Sequence, residues 1–166
     1  LTAYEDFFRK VDGSKTLFTT LEFYNSGFGV KRYILGQQGN RSFTLEITAP
    51  RNANTLVEFT AAPINAPTPE SGEQGDISLN VQIAGAGLEI EEMLMNRVKT
   101  ETIEVVWRQH LSNETYPIVT FVFEANTVEL RDLVATVQAR TINTSGLDVS
   151  ERYTTDRFPA LKGRLS

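Results

Sequence analysis

The sequence predicts a mainly β chain, an antiparallel β-sandwich or barrel-like domain with a short N-terminal helix and one further helix at about residues 88–98. Three observations carry this expectation. In Ile77-Ser78-Leu79-Asn80-Val81-Gln82-Ile83 apolar and polar residues alternate without a break, which puts four aliphatic side chains on one face of a pleated strand. Segments of this kind recur about eight times along the chain. They do not alternate regularly with helical patterns, so the parallel crossovers of α/β folds have nothing to build them.

In chain order, Thr2 caps a first turn carrying Glu5 and Asp6, with Tyr4, Phe7, Phe8 and Val11 at helical spacing. Apolar runs at 17–24 and 30–35 read as strands, and Phe43-Thr44-Leu45-Glu46-Ile47 alternates as a third. Residues 56–60 form a further run. Residues 63–75 hold three of the six prolines and two glycines, a composition too polar and imino-rich for a packed element. A loop is expected there. After the strand at 77–83, residues 88–98 place Glu89, Glu91 and Glu92 early and Arg97 and Lys99 late, an order that complements a helix dipole. Ile103, Val105 and Trp107 alternate against Glu104, Val106 and Arg108, residues 118–123 follow as a run, and residues 133–140 alternate again. Beyond Arg140 the alternation stops. The chain is therefore expected to be one domain over residues 1–166, with the Pro-rich loop at 63–75 and an extended C-terminal segment at 141–166.

Composition excludes more than it names. The 166 residues carry 16 Lys+Arg, 21 Asp+Glu, one His and no Cys, for a formal charge of −5. A chain of this length buries enough surface to need no disulfide or metal staple. Without cysteine there is no disulfide framework, thiolate metal site, iron–sulfur cluster or cysteine nucleophile. A single histidine removes every two-histidine motif, so neither a metal nor a cofactor is expected. Mild acidity with interspersed signs argues against a phosphate-tracking surface, and no nucleic-acid partner is expected. No run approaches the ~20 apolar residues that span a bilayer, and residues 1–6 lack the basic-then-apolar order of a signal peptide. The chain is expected to be soluble, without direct membrane contact.

No catalytic constellation assembles in the sequence. His110 follows a predicted strand, beside Arg108, Gln109, Ser112, Asn113 and Glu114, where a general base would need an accompanying nucleophile motif. None accompanies it, and the residue reads as a surface or capping imidazole. Glu89, Glu91 and Glu92 are accounted for by the helix dipole and by solvation. Gly27-Phe28-Gly29, Gly36-Gln37-Gln38-Gly39 and Gly85-Ala86-Gly87 are turn glycines, since none continues into a dinucleotide fingerprint or a P-loop. Three sequons, at Asn40, Asn113 and Asn143, are what chance gives in a chain rich in Asn, Ser and Thr. Tyr24, Phe28 and Tyr33 near Lys31 and Arg32 read as rings of a packed hairpin. The chain is expected not to be an enzyme.

The order of segments along the chain is more informative than any motif. A helix precedes Leu17-Phe18-Thr19-Thr20-Leu21-Glu22-Phe23, followed by Tyr33-Ile34-Leu35, Ala49-Pro50, and Val57-Glu58-Phe59-Thr60-Ala61-Ala62-Pro63 leading into the Pro-rich loop. Next come residues 77–83 running into Glu89-Ile90, then Val105-Val106-Trp107-Arg108-Gln109-His110-Leu111-Ser112, and last Tyr153-Thr154 with Phe158-Pro159-Ala160-Leu161. Over nearly its full length this order resembles a family of minor tail proteins from the tail-tip gene clusters of long-tailed bacteriophages. It is similar, more distantly, to the N-terminal domain of the lambda-type minor tail protein L. A departure lies at Leu147-Asp148-Val149-Ser150-Glu151-Arg152, where family members often carry an extra Phe-Pro element.

The resemblance implies a structural virion component. It would be an adaptor joining the end of the tail tube or hub to distal tip proteins, in a symmetric ring, assembled in the host cytoplasm and located in the virion tail tip. It carries over no catalytic residue. On this reading Ile64, Leu147, Phe158 and Leu161 are exposed apolar groups that become buried against partner subunits. The alternative class is a β-sandwich ligand- or carbohydrate-binding module presenting Tyr24, Tyr33, Tyr116 and Trp107, although Trp107 falls in register with core positions.

Overall fold

A computed structural model of the chain describes residues 15–36, 39–71, 77–84, 88–131 and 134–141. The N-terminal helix expected from Thr2 to Val11 and the C-terminal segment with Leu147, Phe158 and Leu161 lie outside the described residues.

Ten strands and one helix make up the described chain. The strands are β1 (Leu17–Asn25), β2 (Gly29–Leu35), β3 (Arg41–Thr44), β4 (Leu56–Ala62), β5 (Ile64–Asn65), β6 (Glu70–Ser71) and β7 (Ile77–Ala84). Helix α1 (Leu88–Met95) then precedes β8 (Ile103–Leu111), β9 (Val119–Arg131) and β10 (Val134–Thr141). They form one sheet in the order β3-β4-β2-β1-β8-β9-β10-β7-β5, with β6 also pairing β7. All ladders are antiparallel except β2–β4, where Tyr33 pairs with Thr60 and Leu35 with Ala62 in parallel register. The sheet is thus mixed. Among the described residues no ladder joins β3 to β5 or β6, so the sheet is open, and of the expected sandwich or barrel-like forms the closed barrel is not the one found.

The proline-rich loop is partly a strand region. Ile64 pairs with Ile83, and Glu70 with Ser78, so two short ladders cap the outer edge of β7. Proline cannot donate to a ladder, which keeps both pieces to two residues at the sheet edge. Ile64 is consequently buried in the core of its own chain rather than exposed for a partner. Alternation at 64–65 was too short to show this.

One large core lies on one face of the sheet. Leu21 and Phe23 of β1, Tyr33 of β2, Ile64 of β5, Val81 and Ile83 of β7, Val105 and Trp107 of β8, and Val137 of β10 all meet in it. Strands from far apart in the order reach one cluster because the sheet curves around it. Met93 of α1 packs into the same core, so the helix closes one side. The helix ends at Met95, three residues short of the expected 98. Asn25 is the reason: its Oδ1 accepts from Val98 N–H at 2.7 Å, which withdraws that amide from continuing the helical ladder.

The opposite face of β1 and β8 is buried too. Strict alternation predicts a solvated face for Glu104, Val106 and Arg108, yet every residue of β8 except Glu104 is fully buried. A second, smaller core of Phe18, Ile34, Leu45 and Phe59 covers one end of that face, with Phe43 packed against it. Its roof is β3, β4 and the loop 45–55. The alternating run at 43–47 therefore stops being a strand at Thr44. Glu46 turns the chain, its carbonyl accepting from Ala49 and Asn54 N–H, and Ile47 is left exposed.

Candidate functional site

The second face of the sheet brings six charged side chains into one network. Antiparallel register places Glu22 of β1 opposite Arg32 of β2, and Thr20 opposite Arg108 of β8. Side chains two residues apart on one strand share a face, so Glu22, Arg32, Glu104 and Arg108 converge. Arg51 and Glu46 descend from the loop above. Glu22, with a side chain wholly removed from solvent, accepts from Arg32 Nε at 2.8 Å and from Arg51 Nε and Nη2 at 3.0 and 2.8 Å. Arg108 is equally buried. It reaches Glu22 with Nη1 at 3.5 Å and donates Nε to both Glu46 oxygens at 3.0 and 2.9 Å. Arg51 also donates to Glu104, and its guanidinium lies 4.3 Å above the Tyr24 ring.

The network is balanced: three arginines face three glutamates. Burial works against the Arg51 charge, but hydrogen bonds to Glu104 and Glu22 outweigh it and hold the guanidinium above its ordinary range. Both Glu22 oxygens are taken by arginines, so this carboxylate has no lone pair to offer as a base or metal ligand. What the arrangement does is hold the loop 45–55 to the sheet. Two asparagines reinforce it from left-handed positions, Asn52 at φ 51° and Asn54 at φ 53°. Asn52 Oδ1 accepts from Arg32 Nη2, and Asn54 Oδ1 accepts from the Tyr116 hydroxyl, each at 2.7 Å.

His110 sits at the apolar end of the same face, buried rather than on the surface. Its ring stacks on Phe43 with centroids 4.2 Å apart and meets Phe59 edge-on. Its Nε2 and the Thr20 hydroxyl are hydrogen-bonded at 3.1 Å. Burial, helped by the Arg108 charge, lowers its pKa to about 3. A neutral imidazole walled in by two phenylalanines is a core side chain, and neither the surface reading nor the general-base reading survives.

The other sequence candidates scatter. Among the described residues no three His, Cys, Asp or Glu side chains are placed to hold a metal ion. Glu91 lines a shallow cleft of about 280 Å³ beside α1, with Leu94, Met95, Arg97, Lys99 and Val128. Gly29 and Gly36 adopt φ of +74° and +66°, the turn role expected of them, while Gly85 and Gly87 lie outside the described residues. Of the four rings assigned to a ligand module, Tyr33 and Trp107 are buried in the main core, Tyr24 lies under Arg51, and Tyr116 is hydrogen-bonded to the loop. They do not share a face.

Glu22, Arg32, Glu46, Arg51 and Glu104 were not legible as a site. The one available signal is that apolar residues occupy both parities around Glu22, at Phe18, Leu21, Phe23 and Tyr24, which marks a strand buried on two faces. The architecture is thus a mainly β domain with one short helix and a mixed, open sheet, whose interior charges are matched among themselves. No protein-family model matches the chain, and no curated protein matches it.

Proposed function

We propose that this protein is a structural subunit of a bacteriophage tail tip, an adaptor between the end of the tail tube or hub and more distal tip proteins. The observation that carries the reading is the use made of the polar interior. Glu22, Arg32, Glu46, Arg51, Glu104 and Arg108 bond to one another and clamp a loop over the sheet, and His110 is held neutral in a core. Groups that an enzyme would turn toward substrate serve rigidity here. The whole-chain order of segments supports the assignment to tail-tip proteins, and two apolar layers on the faces of β1 and β8 suit a sandwich-like subunit. Its partners on this reading are tube, hub or distal tail proteins repeated around a symmetric ring, and its place is the virion.

The test is an affinity pull-down of the tagged chain from its native producing cells, with retained proteins identified by mass spectrometry. Recovery of tube, hub or tip proteins in fixed ratio is the expected result. A chain shown to be folded that retains none of them refutes the assignment, and a glycan or metabolite that raises its melting temperature would replace it with the binding-module class.

A further inference from the structure

We infer that residues 41–59 form a latched strap, a hairpin that lifts off the second face of β1 and β8 as a unit while the rest of the domain stays folded. Its ladder is internal. Among the described residues β3 pairs only with β4, from Arg41–Phe59 to Thr44–Leu56, and the loop 45–55 closes this hairpin. The hinge lies at its base, where Asn40 Oδ1 accepts from Ala61 N–H at 3.1 Å. Directly beside it Tyr33–Thr60, Ile34–Ala61 and Leu35–Ala62 tie the end of β4 to β2. No ladder holds residues 41–59 to β1 or β8.

Side chains of two kinds hold the strap down. Phe43, Leu45 and Phe59 pack on Phe18, Ile34 and His110, and Arg41 lies over the Phe18 ring. The rest is polar: Arg51 donates to Glu22 and Glu104, Glu46 accepts from Arg108, Asn52 from Arg32, and Asn54 from Tyr116.

The two kinds differ in what opening costs. Apolar groups lose their whole transfer energy when they meet water. Paired charges regain hydration, so a buried ion pair gains little over its separated, hydrated members. Arg51 and Glu46 also leave together, and Glu22 keeps Arg32 and Arg108, so lifting strands no buried charge. The main core on the other face is the opposite case, built from Leu21, Phe23, Val81, Val105, Phe123 and Val137 with their neighbours, all of which would be lost to water without recompense. Lifting the strap is therefore the least costly excursion of the fold.

His110 makes the latch sensitive to acid. Phe43 and Phe59, both on the strap, wall in its ring. The charged groups on the elements around it are Arg108 on its own strand, Glu22 on β1, Arg41 on β3 and Glu46 in the loop, while β4 meets it with Phe59. With the strap down the imidazole is neutral, its pKa about 3, and with the strap lifted it faces water and titrates near its ordinary 6.5. Opening therefore takes up a proton between these values, and falling pH favours it.

This inference stands apart from the tail-tip reading, because neither the two states nor the test involves a partner. The chain has no cysteine, so one introduced thiol reports one position. Leu45→Cys on the strap, Ile34→Cys beneath it and Val137→Cys in the main core are each treated with a dipyridyl disulfide under native conditions. Labelling rates, divided by those of the urea-unfolded chain at the same pH, give an opening constant to set beside each variant's own global unfolding constant. At Cys positions 34 and 45 opening should exceed global unfolding about a hundredfold or more, and at 137 the two should agree. Either strap position suffices if the other variant does not fold. From pH 8 to pH 5 the strap's opening constant should rise about thirtyfold, and this rise should be lost in a His110→Gln background, which keeps every carboxylate. Labelling at 34 and 45 only through global unfolding, or a thirtyfold rise that survives His110→Gln, would overturn the inference.

Discussion

At the residue scale the account turns on two buried groups. His110 has a pKa of about 3 in the folded chain against an ordinary 6.5. Between those values the unfolded chain binds the extra proton, so stability falls as pH drops through this window and is unaffected by His110 above it. Urea unfolding should show a loss of about 2 kcal/mol between pH 8 and pH 5 from this residue alone. In His110→Gln that slope should vanish, and an unchanged slope would show that the imidazole is not held neutral. Glu22 is the second. Removing its charge leaves three guanidinium groups without their shared carboxylate, so Glu22→Gln should cost about 3–5 kcal/mol, the range for one broken member of a buried pair. Glu129→Gln, which loses only an exposed contact of 4.0 Å to Arg131, should leave the unfolding midpoint where it is.

At the element scale the turn between β1 and β2 is fixed by what it touches. Asn25 Oδ1 accepts from both Gly27 and Val98 N–H, at 2.9 and 2.7 Å, and a Cβ on Gly27 would stand 2.1 Å from the Asn96 carbonyl oxygen. Both obstacles are backbone. Gly27→Ala should therefore lower stability by about 1–3 kcal/mol, measured by the same urea titration, and push the 96–98 backbone away from the turn. The strands at 17–24, 30–35, 56–60, 77–83 and 103–108 were legible because period-2 alternation or an apolar run reports a pleated face directly. Two things were not. Residues 43–47 alternate well, but Glu46 is drawn to Arg108, sixty-two residues on, and that tertiary bond ends the strand at Thr44. Likewise Val98 counts as helical by spacing, and only the distant Asn25 removes it from the helix. Local pattern carries no information about a partner that far along the chain.

At the scale of the whole molecule the class was legible and the connectivity was not. Alternation shows that a strand has a buried face, not which neighbour it takes, so the parallel β2–β4 ladder and the open ends of the sheet were beyond it. The same limit applies to the site. Its six charged residues come from β1, β2, β8 and one loop, and each reads singly as a solvated side chain. Once gathered, they bond the loop 45–55 to the sheet and help to cover the second face of β1 and β8. The central claim, proposed above, is that such a subunit holds neighbouring tail proteins in place. It is tested most directly by quantitative mass spectrometry of tails purified from the native producing cells. The account predicts this chain in a fixed ratio to the tube and hub proteins; purified tails that lack it, with the chain found free in the same lysate, would contradict the account.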